Sequence, residues 1–117
     1  MALNDTSLDL MLDALRAVAV WVSAHDGDPG TTGVNEHVIS TAPYGREAIT
    51  WTASSGGALD SSNTPVMTIN DGDTVDYVGL WSAETAGTFY GSDGVTPEGP
   101  YGTDGTYTVT DFDITIT

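Results

Sequence analysis

The stretch Val75–Gly91, Val-Asp-Tyr-Val-Gly-Leu-Trp-Ser-Ala-Glu-Thr-Ala-Gly-Thr-Phe-Tyr-Gly, constrains the fold more than any other part of the chain. Val75, Tyr77, Gly79 and Trp81 fall on one face of an extended segment and Asp76, Val78, Leu80 and Ser82 on the other, the period of two that marks a strand. Large apolar residues occupy both faces, so the strand is expected to be covered on both sides. Gly79 leaves room for a close neighbour. Glu84–Gly87 supplies a turn and Thr88–Tyr90 opens a return strand. The pattern predicts a hairpin near the centre of a sheet, and nothing in it resembles a catalytic centre.

One helix is expected, over about residues 6–18. Thr6-Ser7-Leu8-Asp9 fits a capping box, and Leu8, Met11, Leu12, Leu15 and Ala19 share a face at helical spacing. Asp9, Asp13 and Arg16 lie on another face, with Asp13 and Arg16 spaced for an i,i+3 pair. Leu10 lies off the apolar stripe, either as a lone exposed leucine or as a contact with another subunit. A strand is expected over about 19–24, a loop over 25–33, a short weak strand over 35–40 and a better one over 44–52. Thr64–Ile69 reads as a strand with Pro65 at its start or at an edge, and Asn70–Asp73 as a turn. A long surface loop follows over about 92–105, then a terminal strand in which Phe112, Ile114 and Ile116 alternate with polar residues. Several short strands with polar turns after one helix indicate a mainly β domain over residues 1–117, an antiparallel β-sandwich or small barrel.

Charge narrows the partners. With 17 acidic residues against two arginines and no lysine, the net charge is −15. Such a surface repels phosphate backbones, which argues against nucleic acid, and anionic lipid, which argues against membrane surfaces. Partners held by electrostatics should be basic. No apolar run approaches the roughly 18 residues of a membrane-spanning helix, and no basic region followed by an apolar run suggests a secretory signal. The chain has no cysteine, so disulfides and thiolate chemistry are excluded.

The constellations that could carry chemistry each have a plainer explanation. His25, Asp26, Asp28 and His37 lack the convergent spacing of a zinc site and are expected in a solvated loop. Asp26-Gly27-Asp28 and Asp71-Gly72-Asp73 read as turns; calcium loops of the EF-hand type also need a correctly spaced glutamate. No Gly-x-Ser-x-Gly elbow, phosphate loop or dinucleotide fingerprint is present. Trp21, Trp51, Trp81, Tyr77 and Tyr90 suit core anchoring and intersubunit contact, with a sugar-stacking platform as the alternative. Arg16 and Arg46 should each have a fixed carboxylate partner, or reach across an oligomer interface. The expectation is a protein without catalytic, metal or cofactor-binding residues.

Several blocks together resemble a known family. They are Met1–Leu8 running into Leu10–Leu15, His25–Gly33 with Asn35-Glu36, Tyr44–Trp51, and Val78–Ala83 with Gly87–Gly91. They look like small structural proteins of actinobacterial tailed phages, labelled as tail fibre or minor virion proteins. The resemblance implies a virion component without enzymatic activity. A compact acidic chain without a repetitive shaft suits a capsid decoration protein, a homotrimer on the capsid exterior that binds the major capsid protein and stabilises the shell. The alternative is a tail-fibre or tail-tip module that touches the host surface. Leu3, Leu8, Leu10, Arg16, Arg46, Tyr77 and Trp81 are the residues expected at an interface.

Overall fold

In a computed structural model, which describes residues 1–116, the element order is α1 (Asp5–Arg16), β1 (Trp21–His25), β2 (Glu47–Ala48), β3 (Ala58–Asp60), β4 (Val66–Ile69), β5 (Val75–Trp81), β6 (Phe89–Glu98), β7 (Gly105–Thr108) and β8 (Asp113–Thr115). The fold is mainly β with one short N-terminal helix, as expected. Its strands form three antiparallel sheets, ordered β2-β1-β5-β6, β3-β8 and β4-β7, and none closes into a barrel.

The β5–β6 hairpin expected near the centre of a sheet is central in only one of its strands. β5 lies between β1 and β6, paired with β1 from Trp21↔Trp81 to His25↔Tyr77. Val78 and Leu80 join Val22, Ala24, Ile49, Met67, Ile69 and Phe112 in the main core. Gly79 and Trp81 face a second layer formed by the segment from 33 to 46. β6 itself is an edge strand, and it extends to Glu98, well into the stretch expected as a loop from 92. Seven of its ten residues are exposed and none is buried, so they carry no clear apolar alternation; pairing with β5 makes them a strand. Pro97 is tolerated there because an edge position does not need its missing N–H.

The helix is shorter than expected and capped differently. Asn4, not Thr6, is the N-cap, and its side chain accepts from the Ser7 N–H at 3.0 Å. Asp9 has a tertiary partner instead of a capping role, accepting from the Gly57 N–H at 2.8 Å. Asp13 accepts from the Ser54 hydroxyl and the Arg16 Nε, both at 2.8 Å. The Ser54 bond first, then Arg16, hold the Asp13 carboxyl below its usual range. These bonds tie α1 to the 54–57 turn, where Leu12 and the β3 residue Leu59 are both buried. Met11, expected in the buried stripe, is instead 44% exposed.

Only Glu47–Ala48 of the strand expected over 44–52 pairs with β1; Trp51 forms an isolated bridge with Ser61. The chain leaves one sheet for another across this short span, which cuts the regular pairing. The weak strand expected over 35–40 is reduced to a bridge between His25 and Glu36.

Candidate functional site

Two features outside the main core invite a functional reading: a buried polar cluster on the outer face of the β1–β5 pair, and an exposed apolar face on α1.

The cluster is built on Glu36 and Arg46. The guanidinium donates from Nε and Nη2 to the two Glu36 carboxylate oxygens at 2.9 and 2.8 Å, and from Nη1 to the carbonyls of Ala83 and Ala86 at 2.8 Å each. It lies 3.7 Å above the Trp81 ring, a stacking cation–π geometry. Tyr44 donates to Glu36 at 3.0 Å and accepts from the Ala24 N–H; burial pushes its hydroxyl far above the usual tyrosine range. Trp81 Nε1 donates to Ser23 Oγ at 2.8 Å, and Ser23 Oγ lies 2.7 Å from His25 Nε2. His25 Nδ1 is 2.9 Å from the Val34 carbonyl. A carbonyl only accepts, so the proton sits on Nδ1 and the Ser23 hydroxyl donates to Nε2. Burial lowers the His25 pKa and keeps the ring neutral.

Ser23 and His25 therefore have the spacing of a nucleophile and base, but both are fully buried and every polar atom of the pair is used inside the protein. The pair joins the 33–37 segment to β1 and is inaccessible to a substrate. His37 is likewise buried, with Nε2 donating to the Thr74 carbonyl at 2.8 Å. Both histidines correct the expectation of a solvated loop. His25 closes β1 instead of opening the loop, and residues 34–37 fold back beside β1, with the His37 N–H bonded to the Ala24 carbonyl. Asp28 accepts from the Gly30 N–H, as a turn residue does.

Helix α1 presents a different surface. At about 100° per residue, Ser7, Leu10, Met11 and Ala14 share one arc of the helix, and none is charged; Ala17 and Val18 follow directly after its end. Leu10 is 73% exposed, and Met11 and Val18 are exposed too, as is Leu3 just before the helix. In a chain of charge −15, an uncharged apolar helix face turned to solvent is the composition of a contact surface.

The expected interface residues are thus divided. Leu3 and Leu10 lie on the exposed face. Leu8 is half-buried against Gly57 on the opposite side of the helix. Arg16 pairs with Asp13. Arg46 and Trp81 are buried within their own chain, where they organise the interior. Tyr77 is half-buried, close to Gly94. The sequence signal for the Glu36–Arg46 pair was the scarcity of cations; nothing in it selected Glu36 from 17 acids.

A third feature is electrostatic. The hydrogen-bonded neighbour Asp60 first, then desolvation, then Asp111 push the Asp113 carboxyl up to about 6. A carboxyl raised in the folded state holds its proton where the unfolded chain has lost it, so it makes stability rise as pH falls from about 6 towards 4. Asp113→Asn is expected to flatten this part of the stability profile, read by urea midpoints across that range; an unchanged slope would remove the Asp60–Asp113 repulsion from the account.

Among curated proteins nothing matches the chain. A family model described as Podophage GP4 fiber I protein gp80 matches residues 3–117, which takes in the capped helix, the buried cluster and the β5–β6 hairpin together. The chain belongs to the family of the podophage GP4 fiber I protein gp80.

Proposed function

We propose that this chain is a non-enzymatic structural subunit of a phage tail fibre, assembled as a homotrimer through the exposed face of α1. Family membership carries the fibre reading. It favours the tail-fibre alternative over capsid decoration, and the major capsid protein is not needed as a partner. The sequence resemblance alone extends the proposal to phages of actinobacteria. The homotrimer rests on the α1 face. Leu10, Met11 and Ala14 are exposed together on one uncharged side of α1, the kind of apolar stripe through which a helix meets copies of itself. Cyclic symmetry presents the same patch from every copy. Leaving it exposed in a monomer would be an association hazard, whereas three copies bury it together.

Two measurements test this. Separated heads and tails of the parent phage, quantified by mass spectrometry, should contain the chain with tails; many copies on heads would restore the decoration reading. Leu10→Asp combined with Leu3→Asp should reduce the solution mass from three chains to one. Because both side chains are exposed, the fold should survive with a change of about 0.5 kcal/mol or less. A trimer that persists in this variant would move the interface away from α1.

A further inference from the structure

A groove of about 330 Å³ opens between β6 and β8, and no residue of the Glu36–Arg46 cluster lines it. Leu15, Tyr90 and Ile114 contribute its accessible apolar lining above the core residues Leu80 and Phe112, and consecutive residues of β6 and β8 form its borders. Consecutive residues point to both faces of a strand, so it is strand edges that border the groove. β6 and β8 each end their sheet, and neither is hydrogen-bonded to the other.

The register shows which backbone groups of β8 are free. Phe112 accepts from the Ser61 N–H, the Ile116 N–H donates to the Gly57 carbonyl, and Ile114 stands opposite Leu59. In an antiparallel ladder the residues of one parity bond to one neighbour, so Asp113 and Thr115 turn their N–H and C=O groups away from β3. A strand edge of this kind, above an apolar floor, is a template for another extended chain.

Charge selects the occupant. Asp93 and Asp113 line the groove, and Asp60 and Asp111 lie beside Asp113. A second copy of this chain is a poor occupant: it carries −15, and its two side-chain cations are both committed, Arg16 to Asp13 and Arg46 to Glu36. We propose that the groove between β6 and β8 is a docking site for an extended cationic segment of a different protein, added as a strand to the free edge of β8. Apolar side chains of the guest would cover Leu15, Tyr90 and Ile114, which keep exposed surface, and its lysines or arginines would meet Asp93 and Asp113. The inference is independent of the fibre assignment and of α1-mediated assembly.

The plainer role for Asp93 and Asp113 is to keep two open edges from pairing with other chains. The two readings part in one experiment. Short synthetic peptides alternating valine with lysine, and valine with glutamate, are titrated against the intact protein while amide exchange is followed residue by residue. The proposal expects the lysine peptide to bind, to protect the amides of Asp113 and Thr115, and to weaken with added salt. Each exposed ion pair is worth roughly a two- to fivefold change in affinity, so Asp93→Asn with Asp113→Asn should weaken binding roughly tenfold. Thr115→Pro removes an outward N–H without touching a bond to β3 and should abolish binding while leaving the melting temperature nearly unchanged. No binding of the lysine peptide, equal binding of the glutamate peptide, protection elsewhere, or full affinity in a folded Thr115→Pro variant would each overturn the proposal. So would saturable binding of an oligosaccharide in the same groove with no peptide binding.

Discussion

Arg46→Ala is expected to be the most destabilising single substitution in the buried cluster, by about 3–5 kcal/mol, the usual cost of removing one partner of a buried ion pair. Four groups lose a partner together. Glu36, whose side chain is only 12% exposed, is left with only the Tyr44 hydroxyl as a donor. The carbonyls of Ala83 and Ala86 lose the Nη1 hydrogens that hold the hairpin tip. The Trp81 ring loses the guanidinium stacked on it. Total stability for a domain of this size is about 5–15 kcal/mol, so the variant should lie near its unfolding midpoint at modest urea. Arg46→Lys is expected to recover little, because an ammonium cannot bond Glu36 bidentately and two carbonyls at once. Glu36→Leu with Arg46→Met should recover more than either single change, since it removes the stranded charge. Urea midpoints at constant slope measure all three; an Arg46→Ala variant within 1 kcal/mol of the parent would mean that water enters and solvates Glu36.

Gly79→Ala should be nearly as damaging, although it adds a single methyl group. A Cβ at this position would lie 2.6 Å from Ser23 Oγ, 2.8 Å from His25 Nε2 and 3.1 Å from Phe89 Cε1. None of these atoms can retreat cheaply. Ser23 is held by Trp81 Nε1, His25 by the Val34 carbonyl, and Phe89 packs edge-on against Trp81 at 5.1 Å. The expected loss is about 3 kcal/mol, combining overpacking with a disturbed buried hydrogen bond. Gly91→Ala, on the return strand of the same hairpin, meets no atom within 4 Å and should change stability by about 0.5 kcal/mol or less. Equal melting temperatures for the two variants would show that the 2.7 Å contact between Ser23 and His25 opens without cost.

The contrast between those two glycines indicates how far the sequence could be read. Gly79 stood out because a small residue interrupted a strand otherwise filled by Tyr77, Val78, Leu80 and Trp81, so a close neighbour was expected. The neighbour's identity was not, because Ser23 and His25 lie more than fifty residues away along the chain. The same holds for Arg46. A lone arginine in an acidic chain implies a fixed carboxylate, but which one depends on the 33–37 segment folding back along β1.

Local pattern by itself determined the helix, the interior strand β5 with the turn after it, the start of β4 beside Pro65 and the mainly antiparallel architecture. These elements carry their own apolar periodicity, and burial of that periodicity is their driving force. Tertiary structure alone decided the rest. β6 runs through Gly-Ser-Asp-Gly-Val-Thr-Pro-Glu, which has no periodicity, because β5 offers a row of backbone partners. His25 and His37 are buried because the fold supplies Val34 and Thr74 carbonyls for their rings. Asp9 leaves helix capping for the 54–57 turn, and Asp13 adds the Ser54 hydroxyl to its Arg16 pairing, because that turn presents unpaired donors. In each case the residue type permits several partners of similar strength, and only the arrangement of distant segments selects among them; apolar burial needs no such selection, since it asks only that one face leave water.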